Sequence, residues 1–266
     1  MTTTERATGS PPRLEGHWFR RFGGTAEGHG GPLLICFPHA GGAASAYLPL
    51  SRALAPRVDV LAVQYPGRQD RRLETPAESL TALAETVAAE LATGLGHGRP
   101  YALFGHSMGA ALAYETARRL RGHGVPAPER LFLSGRGAPS PEPRQSDRVS
   151  GDTALVAEIR RLGGTGSRVL DEPELLGMVL PALRADYRAL AGYRWTPGPA
   201  LGVPFTVLVG EDDPVVPPGD AEGWLAHSTE AGAFLTFPGG HFYLDAHTER
   251  VAGVIASALA VPPPPG

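Results

Sequence analysis

Phe104-Gly105-His106-Ser107-Met108-Gly109-Ala110 joins an apolar run, Tyr101 to Phe104, to an alanine-rich run, Ala110 to Leu120, that carries Leu112, Tyr114 and flanking arginines. The first run has the length and composition of a buried strand, the second those of a helix. Between them a serine has glycine two positions before and two after, the G-x-S-x-G pattern. A strand that turns directly into a helix strains the backbone at the apex and crowds its neighbours. Only glycine then fits the flanking positions, and the hydroxyl stands exposed above the sheet. Ser107 is therefore the candidate nucleophile.

A nucleophilic serine needs a base, and the base needs an orienting carboxylate. Downstream, the apolar run Pro204 to Val209 ends in Gly210-Glu211-Asp212-Asp213-Pro214-Val215-Val216, which puts acidic residues on the loop at a strand's carboxyl end. A second run, Ala233 to Phe237, ends in Pro238-Gly239-Gly240-His241-Phe242, whose glycines allow a tight turn that brings the imidazole over the sheet edge. The chain order Ser107, acid, His241 is that of the α/β-hydrolase fold. Asp212 and Asp213 compete for the acid role. The G-x-x-D-x-x-V spacing of this loop in related hydrolases is met by Gly210, Asp213 and Val216, which favours Asp213. Of nine histidines, His241 is singled out by its position. His106, inside the turn, is expected to pack or hydrogen-bond locally, and His247 to lie solvated in a closing helix. His17, His29, His97, His123 and His227 have no strand-end context.

Acyl chemistry at Ser107 also requires donors placed in advance for an oxyanion. The backbone N–H of Met108, the residue after the nucleophile, is one. The second is expected from the loop after the early strand Leu33 to Phe37, which continues Pro38-His39-Ala40-Gly41-Gly42. Ala40 is assigned this role, with Gly41 the alternative.

Composition bounds the rest. The 266 residues suit one α/β domain with an insertion, and 42% apolar content supplies a continuous core. A net charge of −3 with no basic run argues against a nucleic-acid partner, Arg68, Arg71 and Arg72 being offset by neighbouring Asp70 and Glu74. Cys36 is the only cysteine and lies in an apolar run, so neither a disulfide framework nor a metal set is expected. The polar start Met1 to Pro12 has no apolar core of a leader, and no run reaches the roughly 18 apolar residues needed to span a membrane. A cytoplasmic monomer without bound cofactor or membrane contact is the expectation.

Residues 1–15 are read as a disordered segment, 16–260 as the domain, and 261–266, with four consecutive prolines, as a tail. Strands are predicted near 17–22, 33–37, 58–63, 101–105, 130–134, 204–209 and 233–237. Helices are predicted near 43–55, 77–93, 109–121, 219–228 and 244–259. The sum is a mostly parallel sheet flanked by helices on both faces. The rhythm breaks over about 138–199, where helical periodicity runs through Leu155 to Leu162 and Leu175 to Leu190. So long a stretch between consecutive strands predicts a helical lid over the site, with an apolar face that packs on the sheet domain and lines an acyl channel.

Several segments beyond the G-x-S-x-G turn, the nucleophile elbow, resemble the type II thioesterases of modular polyketide synthases and nonribosomal peptide synthetases. Phe37 to Gly42 is similar to that family's oxyanion-loop signature, and Tyr65-Pro66-Gly67-Arg68-Gln69-Asp70-Arg71 to its PGR segment. Leu180-Pro181-Ala182-Leu183-Arg184-Ala185-Asp186-Tyr187 resembles its LPxLRAD element, and Gly239 to Phe242 its histidine turn. The elbow and the histidine turn are widespread among α/β-hydrolases, whereas PGR and LPxLRAD are specific. Gln69 departs from the glutamate common after PGR, at a position that is not catalytic. The likeness covers roughly residues 17 to 258.

The resemblance implies a serine enzyme that removes short or aberrant acyl groups from the phosphopantetheine thiol of an acyl or peptidyl carrier protein, the arm belonging to the carrier. It implies the triad Ser107, His241 and Asp213 with the Met108 and Ala40 amides as oxyanion donors. For Arg68, Arg184 and Asp186, an ordinary ion pair and a lid or channel role both stay open. Two other functions fit the same elbow: a carboxylesterase acting on free oxygen esters, and an α/β-hydrolase scaffold that binds without turnover.

Overall fold

The computed structural model describes residues 14–22, 31–95, 99–142, 144–163 and 171–260. Positions 1–13 of the predicted N-terminal segment, the tail from 261, and His29 and His97 lie outside the described residues.

Each apolar run read as a strand forms one. They are β1 (Phe19–Arg21), β2 (Leu33–Phe37), β3 (Asp59–Val63), β4 (Tyr101–His106), β5 (Arg130–Ser134), β6 (Phe205–Gly210) and β7 (Ala233–Phe237). The sheet order is β1-β3-β2-β4-β5-β6-β7. Only β1 runs antiparallel, with Phe19 opposite Val63; the other pairs are parallel. The wholly buried runs LLICF and DVLAV explain this, since a parallel strand is covered on both faces and needs no alternation. Leu33, Ile35 and Phe37 join one core cluster, which takes in α2 (Leu80–Gly94) and α3 (Met108–Leu120). Leu34 and Cys36 point to the other face, where α1 (Leu48–Leu54) and α8 (Thr248–Ala258) pack. Burial pushes the Cys36 thiol up, which suits a core role.

Parallel strands put their carboxyl ends on one edge, and the loops that follow β2, β4, β6 and β7 carry Ala40, Ser107, Asp213 and His241. Between β5 and β6 lie α4 (Asp152–Leu162) and α5 (Pro173–Gly192). Leu155 of α4 packs with Leu183 and Tyr187 of α5, and Ala40 joins the same cluster. The insertion is thus fastened to the loop after β2.

Three predicted helices differ in detail. The 43–55 segment begins as a 3-10 turn, Ala44–Tyr47, and becomes α1 where Pro49 fits a first helical turn. The 219–228 segment is a short α6 (Pro218–Glu222) followed by a 3-10 turn, Gly223–His227; glycine at 219 and 223 weakens a longer helix. The closing helix is split into α7 (Tyr243–Ala246) and α8 at His247. His247 is not simply solvated: its Nε2 is 3.0 Å from the Pro238 carbonyl and ties the break to the turn before His241.

Candidate active site

Ser107 sits at the apex between β4 and α3 with φ 57° and ψ −120°, a strained conformation for a residue with a side chain. Its N–H donates to the Ser134 carbonyl at 2.8 Å and its carbonyl accepts from Ala110 at 3.0 Å, so the turn is held from both sides. The glycines are required by close approach. A Cβ on Gly105 would lie 2.0 Å from the Gly109 carbonyl oxygen, and one on Gly109 would lie 1.9 Å from that of Phe37.

His241 and Asp213 come together from the turns after β7 and β6. His241 Nδ1 lies 2.7 Å from Asp213 Oδ2, with both residues buried. The other carboxylate oxygen, Oδ1, accepts from the N–H groups of Val215 at 2.9 Å and Val216 at 3.1 Å. Those bonds fix the carboxylate and leave one oxygen for the imidazole. Asp212 is exposed, and its backbone N–H donates to the Gly239 carbonyl. Ser107, His241 and Ala40 all line one small chamber of about 30 Å³, whose walls include Tyr187, Leu190, Val215 and Val216.

Met108 is the first residue of α3, so its N–H is one of the helix's unpaired initial donors at the positive end of the helix dipole. The Gly41 N–H is engaged elsewhere, donating to Asp186 Oδ2 at 2.7 Å. Of the two amides considered for the second oxyanion donor, Ala40 is the one left without a side-chain acceptor among the described residues.

Arg68 and Asp186 answer the question their motifs posed. Both are buried, and the Arg68 guanidinium donates to both Asp186 oxygens, to the Pro66 carbonyl at 2.7 Å and to that of Gly42 at 3.3 Å. Burial raises the Asp186 carboxyl above its ordinary value, against the pull of Arg68 and the Gly41 N–H. Arg184 is separate, an exposed partner of Asp152 on α4.

Sequence reasoning missed the imidazole cluster behind His241. His106 packs 5.0 Å from the His241 ring, and His39 lies 4.9 Å from Phe242. His106 Nδ1 is 2.9 Å from Ser134 Oγ, which is 2.6 Å from the Tyr243 hydroxyl. Burial, reinforced by the charge of His241, lowers His39 to about 4 and places His106 well below its ordinary value. It also missed the buried Arg136–Asp147 pair in the chamber wall, since neither residue stands in a motif. Among the described residues, no group of three His, Cys, Asp or Glu is placed to hold a metal ion, and no helix is long and apolar enough to cross a membrane.

The thioesterase domain model matches residues 32–259. The chain belongs to the thioesterase family. It is 44% identical over 251 residues to thioesterase PikA5 of Streptomyces venezuelae, covering 92% of this chain and 86% of that one. It is 46% identical over 226 residues to a protein of Streptomyces griseus named "Probable cadicidin biosynthesis thioesterase", spanning 85% of this chain and 62% of that relative's length. The solved type II thioesterase BorB from the borrelidin biosynthetic cluster superposes with a TM-score of 0.80 at 45% identity, over 94% of this chain and all of that one. The thioesterase is thus an α/β-hydrolase, and the likeness to type II thioesterases read from PGR and LPxLRAD extends over nearly the whole chain.

Proposed function

We propose that this thioesterase hydrolyses short or aberrant acyl thioesters from the phosphopantetheine arm of acyl or peptidyl carrier proteins in a polyketide or nonribosomal peptide pathway, in the cytoplasm. His241 takes the Ser107 proton while the Ser107 oxygen attacks the thioester carbonyl. The tetrahedral oxyanion is held by the Met108 and Ala40 amides. The C–S bond then breaks, and His241 returns the proton to the departing pantetheine thiolate, leaving an acyl-serine. Water, deprotonated by His241, adds to that ester; collapse releases the carboxylic acid and restores Ser107. Asp213 holds the imidazole in the tautomer with hydrogen on Nδ1 and stabilises its charged form.

The observation that carries this reading is the chamber shared by Ser107, His241 and Ala40, with His241 fixed from behind by Asp213. The relatives named for biosynthetic clusters support the carrier-bound substrate. The test compares kcat/KM on an acyl-carrier thioester with that on the matching aryl ester, in wild type and Ser107→Ala. Preference for the carrier thioester, lost in the variant, is the expected result. Preference for the oxygen ester would make the protein a carboxylesterase. No turnover, together with no labelling of Ser107 by a fluorophosphonate, would make it a binding scaffold.

A further inference from the structure

A second cavity, of about 470 Å³, opens beside the chamber of Ser107, and Ala40 lines both. One wall is the lid face of Leu176, Val179 and Leu183; the other is the loop after β2 and the Gly67 to Arg72 turn. Among the described residues its lining contains no aspartate or glutamate but two arginines, Arg68 and Arg72. Arg68 is committed to Asp186.

Arg72 is free. Its nearest carboxylates in sequence are taken by others: Asp70 by Arg20 and Gln64, Glu74 by Arg71 and His17. The Arg72 side chain is exposed and makes no ion pair or hydrogen bond among the described residues. The sequence-based expectation that the three arginines of this turn are offset by Asp70 and Glu74 therefore holds for Arg71 and fails for Arg68, whose partner is the distant Asp186, and for Arg72. The turn is held in one shape. Gly67 N–H donates to the Arg71 carbonyl at 3.0 Å, Arg72 N–H to that of Gln69 at 3.1 Å, and the Arg71 guanidinium lies 4.1 Å from the Trp18 ring centre. Gln69, with φ at 45°, anchors its amide on Ser45 Oγ at 2.7 Å. A residue whose guanidinium has no partner among the described residues thus lines an acid-free, mostly apolar cavity from ordered backbone.

Such a cavity fits a long, neutral ligand that ends in an anion. Building on the carrier-thioesterase reading, we propose that the cavity holds the pantetheine arm and that Arg72 binds its phosphate, fixing the side from which the arm reaches Ser107. A planar guanidinium suits phosphate oxygens in a forked geometry.

The test uses two small thioesters with the same acyl group, acyl-4′-phosphopantetheine and acyl-pantetheine, which differ only in the phosphate. Wild type is expected to prefer the phosphorylated form by about tenfold in kcat/KM, through KM, with the preference shrinking as salt is raised. Arg72→Ala should bring the ratio near one, Arg72→Glu should invert it, and Arg72→Lys should retain part of it. Arg52→Glu makes the same charge change at an exposed residue lining neither cavity and should keep the wild-type ratio. A wild type indifferent to the phosphate, a preference that survives Arg72→Ala, or equal loss of the ratio in Arg52→Glu would each overturn the assignment. Failure of wild type to cleave either thioester while cleaving an oxygen ester would instead overturn the parent reading, and this one with it.

Discussion

Asp186 on α5 accepts the Gly41 N–H at 2.7 Å while its carboxylate is clasped by Arg68 from the turn after β3. One buried carboxylate thereby ties the lid, the PGR turn and the oxyanion loop together. The bond to the Gly41 amide steadies the loop that carries Ala40, the proposed second oxyanion donor, as electrostatic preorganisation would require. Removing one partner strands the other as a buried charge. Arg68→Met or Asp186→Asn alone should therefore lower stability by about 3–5 kcal/mol, with the double variant milder than their sum. Asp186→Asn should also lower kcat more than it raises KM if the Ala40 amide is the oxyanion donor proposed above, since such a donor acts in the transition state. Urea unfolding and steady-state kinetics on the same preparations check both. A kcat equal to wild type in a folded Asp186→Asn would show that the loop does not need the carboxylate.

The proposed triad is tested by a contrast between adjacent acids. Ser107→Ala and His241→Ala should each lower kcat by on the order of 10⁴ or more, and Asp213→Asn should be severe, because the members act as a unit. Asp212→Asn should be mild, its side chain being exposed. The reverse ranking of the two aspartate variants would remove Asp213 from the mechanism.

Most of this architecture is legible in the chain because buried parallel strands are continuous apolar runs, and runs such as LLICF are hard to mistake. The elbow, the histidine turn and the acid loop are equally legible, each being a strand end followed by turn residues. What stays hidden is partner choice between distant segments. Nothing in the spacing of Arg68 and Asp186, 118 positions apart, says that they meet. Nor does Arg136 announce Asp147, or His106 announce Ser134 and Tyr243. Helix breaks at Pro49, Gly223 and His247 were also beyond periodicity, since local backbone bonding rather than the apolar pattern decides them.

His39 should make stability depend on pH. Its imidazole falls from 6.5 to about 4 in the folded protein, first through burial and then through His241. The unfolded chain therefore binds more protons between those values, and stability must rise with pH across that window and be lost as pH falls through it. The ring keeps some contact with solvent, so the contribution is on the order of 1–3 kcal/mol rather than the full value for a desolvated group. His106 acts in the same direction. His39→Gln should remove part of the slope, seen as a smaller shift of the urea midpoint between pH 7.5 and pH 4.5. Parallel curves for variant and wild type would assign the slope to other groups.

Acyl length should be set on the Ser107 side rather than in the large cavity. The chamber that holds Ser107 has only about 30 Å³, and Tyr187, Leu190, Val215 and Val216 form the apolar part of its lining. Leu190 is buried and belongs to the main core, so shortening it leaves space that the surroundings fill only in part. Leu190→Ala should shift preference from acetyl and propionyl toward butyryl and hexanoyl thioesters, by roughly 1–3 kcal/mol in relative kcat/KM. Leu176, on the lid face of the larger cavity, should behave differently. If that space takes the arm, Leu176→Ala alters KM for every thioester by a similar factor and leaves the acyl ranking intact. A ranking that moves with Leu176 and stays fixed with Leu190 would place the acyl chain under the lid face and the arm on the other side.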